Sequence, residues 1–159
     1  MNAAEAEIVM QYYAQLGKMR RWVKMEAEEL EAEYSTLRGG SLDGIPKAGG
    51  ADVVCDAAVK MAEDGTADRL RELAVKEAVL RQDQDDVRRA LMGLRDVYRQ
   101  VLVLRYEKRR RWTAISEAVK YSESQTRRMK TRALEMLAEG LAEGPMPGEL
   151  LARARAARA

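Results

Sequence analysis

Residues 112–137, WTAISEAVKYSESQTRRMKTRALEML, hold two short apolar patterns with a turn between them. Trp112, Ile115 and Val119 recur at helical spacing and define one apolar face, and Thr126, Met129, Ala133, Leu134 and Leu137 define a second. Lys120-Tyr121-Ser122 is long enough only for a tight connection. Ser122 followed by Gln125 is the S-x-x-Q capping box, in which each residue satisfies a backbone N–H of the other and so starts a helix. Ser116 is the small residue where the two helices would cross. With the apolar positions inward, Glu123, Ser124, Arg127, Arg128, Lys130 and Thr131 are predicted to face outward from the first turns, beside the capping Gln125. This is the pattern of a helix-turn-helix.

The pattern suits duplex DNA for a chemical reason. A helix fits the major groove, its N-terminal turns reach base edges, and arginine bonds guanine O6 and N7 as a bidentate fork. Glu123, Ser124, Gln125, Arg127, Arg128, Lys130 and Thr131 are therefore the predicted base-reading residues. Lys108, Arg109, Arg110, Arg111 and Arg132 flank them as predicted phosphate contacts. The charge agrees: residues 105–132 carry 10 Lys/Arg against 3 Asp/Glu, whereas the whole 159-residue chain carries a net +2. A nearly neutral total thus conceals a block suited to a polyanion.

Towards the N-terminus, Val9, Leu16, Val23, Leu30 and Leu37 repeat every seven residues, with Tyr12 and Met19 at the partner offset and Glu26 and Glu33 as defects. Leu73, Leu80, Val87, Leu94 and Val101 form a second series, with defects at Glu77 and Gln84. Between them, RGGSLDGIPKAGGAD is too rich in Gly to remain helical. A short helix is predicted at 52–62 and an N-cap at Thr66. Asp96 is the predicted N-cap of a further helix through Tyr106. Two seams joined by a loop predict a long antiparallel helical hairpin, coiled-coil-like, with pairing of each seam to another subunit as the alternative. No stretch alternates at a period of two. The expected fold is all-α: a helical arm over 1–82 with its Gly-rich loop at 39–50, a helix-turn-helix domain over 83–140, and a flexible basic tail over 141–159.

The absences narrow the chemistry. Without any His, Ser/His and Cys/His nucleophilic pairs and His-ligated zinc are impossible. Asp83, Asp85 and Asp86 read as a solvated face or a cap rather than a cation site, and Cys55 as a small core residue. No enzyme, cofactor or metal is expected. The acidic N-terminus MNAAEAEIVM does not resemble a signal peptide, and no apolar run reaches membrane-spanning length, so a cytoplasmic protein without membrane contact is expected.

The string Val101-Leu102-Val103-Leu104-Arg105-Tyr106, then Trp112 with Ile115, Tyr121-Ser122, and Arg127-Arg128 leading to Arg132-Ala133-Leu134 and Leu137, resembles region 4 of bacterial sigma factors. It is more similar to phage-encoded transcription regulators of the RinA and ArpU type, in which a long helical segment with a Gly-rich loop, here Gly44–Gly50, precedes that region. Two positions depart from the family pattern: Lys120 stands where Gly is usual in the turn, and Arg111 where a capping hydroxyl is usual. The resemblance implies a recognition helix beginning at Ser122, regulation of phage or prophage genes in a bacterial host, and contact with RNA polymerase. A homodimer through the arm is a further expected association. The alternative function is DNA packaging, as in a small terminase subunit, in which the DNA-reading module commonly lies at the N-terminus.

Overall fold

The computed structural model describes residues 1–39 and 65–159, and every described element is helical. Helix α1 spans Ala3–Gly39, α2 Thr66–Met92, α3 Asp96–Leu102, α4 Trp112–Val119, α5 Glu123–Ala142 and α6 Pro147–Arg158. A π-helical turn, Val103–Glu107, continues α3. The all-α class expected from the periodicity is what is observed. Beyond Gly39, which ends α1, the expected Gly-rich loop lies outside the described residues, as do the expected helix at 52–62 and Cys55.

Local chemistry accounts for the helix ends. Asn2 and Glu5 form a reciprocal capping box at the start of α1, each side chain accepting the other's backbone N–H at 2.9 Å. Before α2, Gly65 takes a left-handed φ of 67°, and Thr66 is the first helical residue. Asp96 is likewise not the cap: Arg95 holds the extended N-cap position and Asp96 is the first residue of α3, where it pairs with Arg99. The helix expected to run through Tyr106 changes to π geometry at Val103, with Lys108 N–H donating to the Val103 carbonyl at 3.0 Å.

The chain divides into two compact units, Met1–Gly17 with Arg81–Ala159, and Lys18–Leu80. In the second, α1 and α2 run antiparallel: Arg20 pairs with Glu77 at 2.7 Å and Glu26 with Arg69 at 2.5 Å, while Val23, Leu73 and Leu80 are buried. Glu26 and Glu77, the apparent seam defects, are thus half of two cross-helix ion pairs.

The first unit differs from the expected division into 1–82 and 83–140. Met1–Gly17 belongs with the C-terminal domain because Ala6, Val9, Met10, Tyr12 and Leu16 are buried there. The tail is also corrected. Residues 141–159, expected to be a flexible tail, complete α5 and form α6, which buries Leu150 and Ala154. Gly140 does not break α5, because it lies against α2, where a Cβ would stand 3.5 Å from that of Ala90. Pro147 occupies the first turn of α6, where its missing N–H costs nothing. Asp83 is neither solvated nor a cap. It is fully buried, accepting from Tyr12 Oη at 2.8 Å and from Arg153 Nε and Nη2 at 2.8 and 2.6 Å.

Candidate nucleic-acid interface

Helices α4 and α5 are joined by Lys120-Tyr121-Ser122, as the spacing predicts. Lys120 takes φ 59° and ψ 40°, so a residue with a Cβ occupies the left-handed position. Ser122 is the N-cap of α5: its Oγ accepts from Gln125 N–H at 3.2 Å, and Gln125 Oε1 accepts from Ser122 N–H at 3.2 Å. Thr126 is buried, donating to the Ser122 carbonyl at 2.8 Å. Val101, Ile115 and Val119 form a buried cluster against which Val97, Leu104, Trp112 and Met129 pack. That core holds the first turns of α5 at the surface.

The predicted reading residues separate into groups. Ser124, Arg127, Arg128 and Thr131 are exposed on the first turns, and Glu123 is half-buried. Arg128 has no ion-pair partner among the described residues. Gln125 is exposed, but its side chain is turned back into the capping box. Lys130 departs from the predicted outward face. Its Nζ lies 3.2 Å from Glu7 of α1 and its side chain is only 24% exposed, because α1 supplies a carboxylate on that flank.

The expected phosphate contacts fare similarly. Lys108, Arg109, Arg110 and Arg111 are all exposed in the loop before α4. Arg109 holds a left-handed φ of 50°, and Arg110 N–H donates to the Leu104 carbonyl at 2.8 Å, so the loop is closed onto the end of the preceding helix. Arg132 is exposed and pairs with Glu135 at 2.9 Å.

Two contributions escape a local reading. The Trp112 ring receives two guanidinium groups, Arg105 at 4.8 Å and Arg127 at 5.4 Å from its centroid. Arg105 also donates to the Arg110 carbonyl at 3.3 Å, tying the π turn to the basic loop. At helical spacing Trp112 reads as an apolar core position, so no local pattern announces this stack. The second contribution comes from α1. Glu7 Oε1 accepts from Tyr106 Oη at 2.5 Å as well as from Lys130. The Tyr106 hydrogen bond, aided by Lys130 and Arg105, holds the Glu7 carboxyl below its ordinary range against the opposing effect of burial. Burial, then Glu7, raises the Tyr106 phenol well above its own, so it remains a donor.

No group of three His, Cys, Asp or Glu side chains among the described residues is placed to hold a metal ion, and no described helix is long and apolar enough to cross a membrane. Compared with models of protein families, with curated proteins and with solved structures, the chain matches none.

Proposed function

We propose that this chain is a sequence-specific double-stranded DNA-binding transcription regulator, of the phage RinA and ArpU type that its basic block resembles. The observation that carries this reading is the capped start of α5, which leaves Ser124, Arg127 and Arg128 exposed beside the exposed run Lys108–Arg111. In this reading α4, its turn and α5 form the helix-turn-helix. Arg127 and Arg128 read base edges, and the basic loop neutralises phosphates. The Lys18–Leu80 unit supplies a protein contact, which we assign to bacterial RNA polymerase. Its support is the exposed pair Trp22 and Met25, one turn apart on α1.

Selection of bound fragments from a randomised duplex library tests the reading. A defined motif is expected, with Arg127→Ala and Arg128→Ala each losing about 1 to 3 kcal/mol on it and little on random duplex. Recovery of unenriched sequence would overturn base reading. A ring-sized assembly that binds DNA without changing transcription by purified bacterial polymerase would favour packaging instead.

A further inference from the structure

The first turns of α1 face the basic loop across an open recess of about 450 Å³. Glu7, Gln11 and Gln15 line it from α1, and Arg105, Arg109 and Lys130 line it from the opposite side. The α1 residues are spaced by four, which stacks them on one helix face. Three cations therefore confront a single carboxylate. That carboxylate is already received as an anion, since one oxygen of Glu7 accepts from both Tyr106 and Lys130. Arg109 has no ion-pair partner among the described residues, and neither Gln11 nor Gln15 makes a side-chain hydrogen bond to one. Two neutral amides and an uncompensated guanidinium thus border a site built around an oxyanion.

We infer that this recess is a phosphodiester-binding subsite, in which the Gln11 and Gln15 amides donate to a backbone phosphate held by Arg105, Arg109 and Lys130. The inference rests on the DNA-binding reading and extends it, because it brings the N-terminal helix onto the nucleic acid. Glu7 serves there as a resident competitor that keeps Lys130 and Tyr106 oriented when DNA is absent. Glutamine suits the α1 side of the groove. An amide donates to a phosphate oxygen, where a further carboxylate would repel it.

The test uses the full chain, titrated at several salt concentrations with a duplex carrying the selected motif and with a random duplex. The double variant Gln11→Leu with Gln15→Leu removes donors without altering charge, so the long-range field is unchanged. It is expected to bind both duplexes about 3- to 10-fold more weakly, with the ratio between them preserved. Glu7→Gln keeps a hydrogen-bonding group for Tyr106 while removing the competing charge. It is expected to bind both duplexes more tightly and to steepen the salt dependence by about one unit, as for one added phosphate contact. Wild-type affinity in the double variant, or weaker binding by a folded Glu7→Gln variant, overturns the subsite. If Arg127 and Arg128 still select a motif in that case, the DNA-binding reading stands and only the subsite falls. If the unmodified chain binds no duplex, both fall together. Calorimetry with inorganic phosphate alone separates the sources of the anion: saturable, Arg109-dependent binding without DNA would assign the recess to a free phosphate and overturn the phosphodiester assignment.

Discussion

Arg153 and Asp83 lie 70 residues apart in the chain and meet through two hydrogen bonds of 2.8 and 2.6 Å, one to each carboxylate oxygen. Tyr12 donates to the same carboxylate at 2.8 Å, so three separate helices converge on one fully buried acid. Burial, and then Asp83, pushes the Tyr12 phenol far above its ordinary range, which keeps it a donor throughout the physiological interval. The bidentate pair ties α6 to α2 on the helix that also buries Leu150 and Ala154. Removing Arg153 leaves Asp83 buried with one neutral partner, and the cost of such an orphaned charge is large. Arg153→Met is expected to destabilise the chain by about 3 kcal/mol. Arg71→Ala, which breaks a well-exposed pair with Asp68, should cost less than about 0.5 kcal/mol. Urea denaturation distinguishes them, and equal costs would remove Arg153 from its structural role.

The domain division leads to a truncation experiment. A fragment from Gln82 to Gly144 contains the whole basic block and helices α3 to α5, with the last part of α2. It lacks Met1–Gly17 and α6, and with them Val9, Met10, Leu16, Leu150 and Ala154 from the buried set. It is expected to show reduced helicity and no cooperative thermal transition. A sharp transition near that of the full chain would show that α1 and α6 are dispensable to the core.

Lys120 allows a gain in stability. Its left-handed backbone brings a Cβ towards a carbonyl, which glycine avoids. Lys120→Gly is expected to stabilise by up to about 1 kcal/mol, seen as a raised Tm. A glycine inside a continuous helix would lower it by a similar amount, so the sign of the shift reports on the turn.

Trp112 tests whether stacking positions Arg127 for the proposed base reading. Leucine at 112 keeps an apolar group against Val101 and Ile115 while removing the π face that Arg105 and Arg127 approach. Each exposed cation–π contact contributes about 0.5 to 1 kcal/mol. Trp112→Leu is therefore expected to lower affinity for the selected duplex about 2- to 5-fold with little change on random duplex. An unchanged preference would mean that Arg127 is held by other contacts, including Glu123 at 4.0 Å.

Acid should loosen the contact between α1 and α5. The Glu7 carboxyl titrates below its ordinary value in the folded chain, so its contribution is present above the unfolded value near 4.5 and is lost as pH falls through the folded one. Tyr106, Lys130 and Arg105 act on it directly, and Arg109 lines the same recess. Replacing Glu7 with Gln should flatten this part of the acid limb of Tm against pH. An identical acid limb in the variant would mean that other carboxylates carry the sensitivity.

The helical class, the capped start of α5 and the three-residue turn were legible because each depends on residues within a few positions of one another. Apolar spacing sets a helix face, and Ser122 with Gln125 closes a capping box inside one turn. The exposure of Arg127 and Arg128 followed from the same local geometry. Lys130 did not, since its outward-facing register says nothing of a Glu7 carboxylate 123 positions earlier in the chain. Asp83 looked solvated for the same reason: its two partners come from α1 and α6, and no pattern near residue 83 announces either. Gly144 and Pro145 mark the break between α5 and α6, whereas Gly140 stays helical, and whether the chain beyond the break stays free depends on a surface to receive α6. Periodicity and capping act over one or two turns, where the backbone fixes distances. Burial and ion pairing act wherever the folded chain brings two groups within a few ångströms, and only the tertiary structure decides which groups those are.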